Sequence, residues 1–214
     1  MSEAKPVVHV VDDDASFLVA VARLLRAAGY TVQTFASAAE FLANLSDTAG
    51  CVIADLRMPE MDGMDLQQAV MRGANPLPVI FLTGEGDIPT TVQAMRSGAE
   101  DFLTKRAPKE DLFAAVDRAI ARDFHQRAER GHLRELRARL DALTPRELDV
   151  LRRVVEGRLN KQIAADLGIA ERTVKLHRTA ITTKLEVHSV AKLTRLVQEA
   201  GAFEEHLPAF PKGQ

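Results

Sequence analysis

CVIADLRMPEMDG, residues 51–63, is the stretch that decides how this chain is read. Its apolar run, Val52, Ile53 and Ala54, has the length and composition of a buried strand, and Asp55 follows at that strand's carboxyl end. Pro59 and Gly63 then mark a turn region. A buried strand that delivers one carboxylate to the lip of a turn makes Asp55 the candidate nucleophile.

Towards the N-terminus, residues 6–11 form a β-branched run that stops abruptly at Asp12, Asp13 and Asp14, another strand delivering carboxylates to its end. Phe17, Val21, Leu24, Leu25 and Ala28 follow at helical spacing, and Gly29 ends that helix. Residues 30–35 read as a strand, and Ser37 caps a helix reaching Leu45. Beyond the central stretch, a helix fits 65–71, and a strand over 77–82 ends at Thr83 and Gly84. A helix fits 88–97, closed by Gly98; a short strand over 101–104 ends at Lys105; and a helix fits 109–122. This alternation predicts an α/β fold, a doubly wound five-stranded parallel sheet covered on both faces. In such a sheet functional groups gather beyond the carboxyl ends of the strands, at a topological switch point. The ends here carry Asp12 and Asp13, Asp55, Thr83 and Lys105.

Three clustered carboxylates repel one another and call for a hard cation, and oxygen ligands of this kind suit Mg²⁺. With the cation bound, Asp55 stays ionised and attacks an incoming phosphorus atom, while the Lys105 ammonium and the Thr83 hydroxyl stabilise the charge on the equatorial oxygens. Singly, these residues have plainer uses: Asp12 and Asp13 as caps of the next helix, Thr83 as a turn start, Lys105 as a solvated charge. Polar residues at four of the five strand ends together favour a phosphoryl-accepting site.

With 214 residues, 46% hydrophobic and 27% charged, the chain has room for two cored domains, and charge is divided between them. Residues 1–120 hold 10 Lys and Arg against 17 Asp and Glu, net −7; residues 121–214 hold 18 against 13, net +5; the two sum to −2. The acidic half suits a metal or phosphoryl site, and the basic half a polyanion. Cys51, the single cysteine, excludes an internal disulfide and a CxxC metal site and reads as a buried structural thiol. The N-terminal apolar run is too short and too soon followed by acids for a signal peptide, and no segment reaches membrane-spanning length. The expected location is the cytoplasm, with no membrane partner.

Residues 121–140 are charge-rich, and Leu133, Leu136, Leu140 and Leu143 recur at alternating spacings of three and four after Gly131. The expected element is a solvated helical spacer with its apolar edge resting on a domain, since so short a seam does not hold a coiled coil alone; a short dimer seam is the alternative. From Leu143 the pattern is all-helical. Thr144, Pro145 and Glu147 form a helix start with a cap, a proline in the first turn and a capping box, and that helix runs through Val155 to Gly157. Asn160 is the expected cap of a helix over 161–167 closed by Gly168, and further helices fit about 171–185 and 189–200. Two helices joined through Gly168, Ile169 and Ala170 have the length of a helix-turn-helix. On the third helix, Val174, Ile181 and Leu185 share the core side, and Arg172, Lys175, Leu176, Thr179 and Thr183 share the other. Lys to guanine, Thr as a hydrogen-bonding group and Leu against a thymine methyl suit a DNA major groove, although a solvated face shows a similar pattern.

Val11-Asp12-Asp13, DLRMPEMDG at 55–63, Leu82-Thr83-Gly84 and Lys105 resemble the CheY-like receiver domain of bacterial two-component response regulators, over residues 6 to about 120. Gly84-Glu85-Gly86-Asp87-Ile88-Pro89 is similar to FixJ-type receivers in particular. This resemblance implies strand order 2-1-3-4-5 and phosphorylation of Asp55 by a sensor histidine kinase. It implies Mg²⁺ held by Asp13, Asp55 and the Arg57 backbone carbonyl, with Asp12 acting mostly through a water. It also implies phosphoryl binding by Thr83 and an inward turn of Phe102 that remodels the dimerising face of the fourth helix, fifth strand and fifth helix.

Leu143-Thr144-Pro145-Arg146-Glu147, NKQIA at 160–164 and TVKLHR at 173–178, with Lys184-Leu185, resemble the LuxR-type helix-turn-helix of FixJ and NarL regulators over about 143–200. The implied base readers are Lys175, Leu176 and Thr179, and the implied phosphate contacts are Lys161, Thr173, His177, Arg178 and Lys184; the last helix would dimerise. The expected organisation is a receiver over 1–122, a helical linker over 123–140, a small all-α DNA-binding domain over 141–203 and a loose tail over 204–214. The implied function is that of a transcription regulator gated by phosphorylation, not an enzyme apart from self-catalysed phosphoryl transfer and autodephosphorylation. Its implied partners are the kinase, double-stranded operator DNA, a second copy of the chain and RNA polymerase. Rival readings are a phosphatase with an Asp nucleophile, an RNA-binding antiterminator and a receiver acting only through protein contacts. Two positions depart from the family pattern: Arg106 where a proline in a cis bond usually follows the lysine, and Ala170 where a Ser or Thr usually caps, a loss of about 1 kcal/mol.

Overall fold

The computed structural model describes residues 5–84 and 88–203; residues 85–87 of the GEGD stretch and the predicted tail at 204–214 lie outside the described residues. The β-branched and apolar runs become five strands, β1 (Val7–Val11), β2 (Thr31–Phe35), β3 (Gly50–Ala54), β4 (Val79–Thr83) and β5 (Asp101–Thr104). All pairs are parallel, in the implied order β2-β1-β3-β4-β5. Every position of β1, β3 and β4 is buried, because helices cover both faces of the sheet. Successive strand residues point to opposite faces. Val8, Val10, Cys51, Ile53, Ile80 and Leu82 accordingly pack against α1 (Ala15–Ala27) and the first part of α5 (Lys109–Asp141). Val11, Val52, Ala54, Val79 and Phe81 pack against α2 (Ala38–Ala43), α3 (Gly63–Met71) and α4 (Ile88–Arg96).

Element ends depart from the sequence expectation where a side chain claims a terminus. α3 begins at Gly63 because Asp62 accepts the Asp65 N–H at 2.8 Å. α2 stops at Ala43, short of the expected Leu45, and the Asn44 amide donates back to the Glu40 carbonyl at 2.8 Å.

β1 buries a polar group that the site does not use. His9, 1% exposed, packs against the rings of Phe35 and Phe41, and neither ring nitrogen has a hydrogen-bond partner among the described residues. Burial pushes its imidazole down from 6.5 to about 4. The folded state therefore refuses a proton that the unfolded chain accepts, so stability is complete above the unfolded value and is lost as pH falls from 6.5 towards 4. Opening free energies from amide exchange at Val8, Val52 and Ile53 in the wild type and His9→Leu should differ by about 2 kcal/mol more at pH 5 than at pH 7, the wild type losing the difference. Equal pH dependence in the two proteins would remove His9 as the cause.

The last receiver helix does not end at 122. α5 is continuous through Gly131 to Asp141, and the chain divides into two compact units between Ala128 and Glu129. Asp123 and Arg127, read from sequence as linker charges, belong to the first unit. Asp123 is fully buried and accepts the Gly50 N–H at 2.9 Å and Arg127 Nε at 2.8 Å, and Arg127 also reaches Asp47 Oδ1 at 2.6 Å.

The second unit contains α6 (Pro145–Val155), α7 (Asn160–Leu167), α8 (Glu171–Leu185) and α9 (Val190–Glu199). Leu136, Leu140 and Leu143 of the predicted seam join Val150, Leu151, Ile163, Val174, Ile181, Leu185 and Val197 in its core. The apolar edge of the linker therefore rests on the helical unit. α6 carries the predicted capping box, with Thr144 Oγ1 accepting the Glu147 N–H at 3.3 Å and Glu147 Oε2 accepting the Thr144 N–H at 2.7 Å. The cap of α7 is a correction: Leu159 holds the N-cap position, Gln162 Oε1 accepts its N–H at 2.8 Å, and Asn160 instead accepts Arg178 Nη1 at 2.9 Å, tying α7 to α8. Ala170 caps α8 without a side-chain hydrogen bond, as its missing hydroxyl requires.

Candidate functional site

Parallel in-register pairing aligns the carboxyl ends of the strands along one edge of the sheet. Val11 pairs with both Phe35 and Ala54, so the next residues, Asp12 and Asp55, emerge side by side; the Asp55 N–H closes the register on the Val11 carbonyl at 2.9 Å. Thr83 pairs with Thr104, and the Lys105 N–H donates to the Thr83 carbonyl at 2.7 Å. Carboxylate oxygens of Asp12, Asp13 and Asp55 lie within 4.8 Å of one another. Asp12 is 1% and Asp55 8% exposed, while Asp13 is open to solvent.

The plainer reading of Asp12 and Asp13 as helix caps does not describe this edge. Asp14 is the cap of α1, accepting the Ser16 and Phe17 N–H groups at 2.8 and 3.1 Å. Asp12 Oδ1 accepts the Asp14 N–H at 2.9 Å, which orients its other oxygen toward Lys105. Asp55 is fixed in the same way, Oδ1 accepting the Leu56 N–H at 2.7 Å and Oδ2 facing Lys105 Nζ at 3.2 Å. Gly63 makes room for this loop: a Cβ there would stand 2.4 Å from the Asp55 carbonyl oxygen and 2.9 Å from the Phe81 ring.

Lys105 Nζ also lies 2.6 Å from Asp12 Oδ2 and 4.3 Å from the centre of the Phe17 ring. Burial alone would lower the Lys105 pKa, but hydrogen bonding and attraction to Asp12 and Asp55 carry it above the usual lysine value. Burial raises the Asp12 carboxyl above the ordinary range, outweighing the opposing pull of Lys105 and the Asp14 N–H. A dense all-oxygen set around a poorly hydrated carboxylate fits a hard divalent cation such as Mg²⁺. Thr83 is buried at the end of β4, and Arg57 projects an exposed side chain from the loop after β3. Phe102 is half-buried, its ring 6.1 Å from that of Phe81. The Lys105–Arg106 peptide is trans.

In the second unit, α7 ends at Gly168 in the left-handed region, φ 64°, which turns the chain into α8. α8 buries Val174, Ile181 and Leu185 and leaves Lys175, Leu176 and Thr179 exposed, as the helical spacing predicted. Leu176 is 61% exposed, an apolar side chain in solvent on an otherwise polar face. Lys161 is exposed at the start of α7, and Thr173, His177 and Arg178 are half-buried. Lys184 is engaged within the domain: Nζ pairs with the largely buried Glu147 Oε2 at 2.7 Å and donates to the Ala142 carbonyl at 3.2 Å. The Lys184 hydrogen bond is also the main cause that holds the Glu147 carboxyl below its usual range. As a phosphate contact, Lys184 would have to leave that partner. Neither the Asn160–Arg178 link nor the Phe17 contact with Lys105 is visible in the sequence: the first joins residues 18 apart, and Phe17 shows there only the spacing of an apolar helix position.

Residues 8–117 match the family model described as response regulator receiver domain, and residues 141–197 match that of bacterial regulatory proteins of the luxR family. The response regulator protein TmoT of Ectopseudomonas mendocina is 41% identical over 199 residues, covering 92% of this chain and 90% of that protein. The transcriptional regulatory protein FixJ of Bradyrhizobium diazoefficiens is 35% identical over 199 residues, 92% of this chain and 97% of that one. Among solved structures, the low-resolution structure of response regulator StyR is similar with a TM-score of 0.81 and 42% identity, over 92% of this chain and 100% of that chain.

Proposed function

The chain belongs to the two-component response regulators that join a receiver to a LuxR-type DNA-binding domain, and from that premise we propose that Asp55 accepts a phosphoryl group from a sensor histidine kinase and so controls operator binding through α8. The observation that carries this reading is the convergence of Asp12, Asp13, Asp55 and Lys105 on one sheet edge. An Asp55 carboxylate oxygen forms the new bond to phosphorus as the bond to the donor breaks. Lys105 exchanges a carboxylate contact for a phosphoryl oxygen, and the Thr83 hydroxyl meets another, so both stabilise charge that grows in the transition state. Asp13, Asp55 and the Arg57 carbonyl would hold Mg²⁺, with Asp12 acting mostly through a water, and the ion would neutralise charge on the phosphoryl oxygens. Turnover is limited to this self-phosphorylation and its hydrolysis.

Once Thr83 is drawn to the phosphoryl group, the half-buried Phe102 turns inward, and a second copy of the chain docks on the face of α4, β5 and α5. Paired α8 helices then read a two-fold duplex, with Lys175, Leu176 and Thr179 at base edges and Lys161, Thr173, His177 and Arg178 at phosphates. RNA polymerase is the partner at the regulated promoter.

The test uses the full chain with acetyl phosphate and Mg²⁺, and duplexes selected from a random pool. Label should map to the peptide containing Asp55, and phosphorylation should tighten duplex binding by about tenfold, with affinity falling steeply as salt rises. Label elsewhere overturns the site. Equal affinity before and after phosphorylation overturns the gating, and preference for hairpin RNA overturns the DNA reading.

A further inference from the structure

Phe17, in the first turns of α1, has no part in the chemistry described above, yet its ring centre lies 4.3 Å from Lys105 Nζ. The same nitrogen is 2.6 Å from Asp12 and 3.2 Å from Asp55. The half-buried ring lines a pocket together with Val21, Leu24, Leu82, Leu112 and Lys105 itself. An ammonium with three donors and no acceptor is thus flanked by two carboxylates and one aromatic face. The negative face of the ring attracts the cation, more strongly where apolar neighbours keep water away.

We infer that Phe17 is a positioning residue for Lys105, holding its ammonium over the acceptor carboxylate while the anionic partners change. The inference rests on Asp55 as the phosphoryl acceptor. During transfer Lys105 has to give up contact with at least one carboxylate, and its four-carbon stem has wide rotamer freedom. The aromatic contact does not depend on which anion is present, because the ring is neutral and is fixed by its own packing on α1. It therefore persists through the exchange and keeps the ammonium within reach of the incoming oxygens. Leucine at this position would fill the same apolar pocket but offer no negative face.

The experiment compares Phe17→Leu, Phe17→Met and Phe17→Tyr with the wild type, and Phe17→Leu again in a Lys105→Ala background. The readouts are the initial rate of Asp55 phosphorylation by acetyl phosphate with Mg²⁺ and the proton shift of the Lys105 Cε methylene. Phe17→Leu and Phe17→Met should each slow phosphorylation about threefold to fivefold. Phe17→Tyr should keep the wild-type rate, and Phe17→Leu should cost nothing further once Lys105 is alanine. The Cε protons should sit upfield under the ring current in the wild type and Phe17→Tyr, and return to ordinary values in Phe17→Leu. A wild-type rate in Phe17→Leu, or the same slowing with and without Lys105, overturns the inference and leaves Asp55 in place. A wild type that takes up no phosphoryl group overturns the reading of Asp55 and this inference with it.

Discussion

The Asp55→Asn variant is expected to take up no phosphoryl group from acetyl phosphate and Mg²⁺, while folding within about 1 kcal/mol of the wild type. An amide has the shape of the carboxylate but not its charge, and a neutral amide oxygen is a poor nucleophile toward phosphorus. Little else at the edge depends on that charge. The Leu56 N–H, now 2.7 Å from Asp55 Oδ1, keeps an acceptor in asparagine, and Lys105 keeps Asp12 at 2.6 Å. Removing one of three clustered carboxylates also relieves repulsion, which offsets the lost pairing with Lys105. Intact mass after incubation and a thermal melt check both halves. Continued uptake would place the acceptor elsewhere, and a large fall in melting temperature would make Asp55 a structural group.

The sheet edge was legible from sequence because its signals are local. A β-branched run ending in an acid, an apolar run ending in Asp55 and a strand ending at Lys105 each fit within a few residues, and parallel pairing then fixes where they meet. What sequence did not yield is what distant partners decide. Nothing local tells which of three consecutive acids caps α1, and the structure gives that role to Asp14. Gly131 costs the middle of α5 about 1 kcal/mol of helix propensity, yet the helix continues, since Leu136 and Leu140 beyond it are buried in the helical core. Lys184 looks like a phosphate contact on its own helix, but its partner Glu147 stands 37 residues earlier. Arg127 finds Asp47 across 80 residues. Local periodicity carries no record of such pairings, so charge-rich stretches look solvated in sequence even where the fold gives them partners.

Asp123→Ala is expected to have the largest effect on stability, a loss of about 2–4 kcal/mol from the first unit. Asp123 is 0% exposed, and its Oδ2 accepts both the Gly50 N–H and Arg127 Nε. Alanine leaves a donor at the start of β3 without its acceptor, worth about 1–3 kcal/mol, and removes one of the two carboxylates that Arg127 contacts, Asp47 remaining at 2.6 Å. Gly50 has little freedom to move and recover a partner, since a Cβ there would already lie 1.8 Å from the Val7 carbonyl oxygen. Asp123→Asn keeps an acceptor for Gly50 while removing the charge, so it should fall between wild type and alanine. Because the chain holds two compact units, one denaturation midpoint would mix their transitions. Amide exchange at Val8, Val52 and Ile53, read in the full chain, isolates the sheet. Protection should fall in the order wild type, Asp123→Asn, Asp123→Ala, with α8 unaffected. Unchanged protection in Asp123→Ala would mean that Leu112, Ala115, Val116 and Ala119 hold α5 on the sheet by apolar packing alone, and that the charged pair beyond them follows the helix without fixing it.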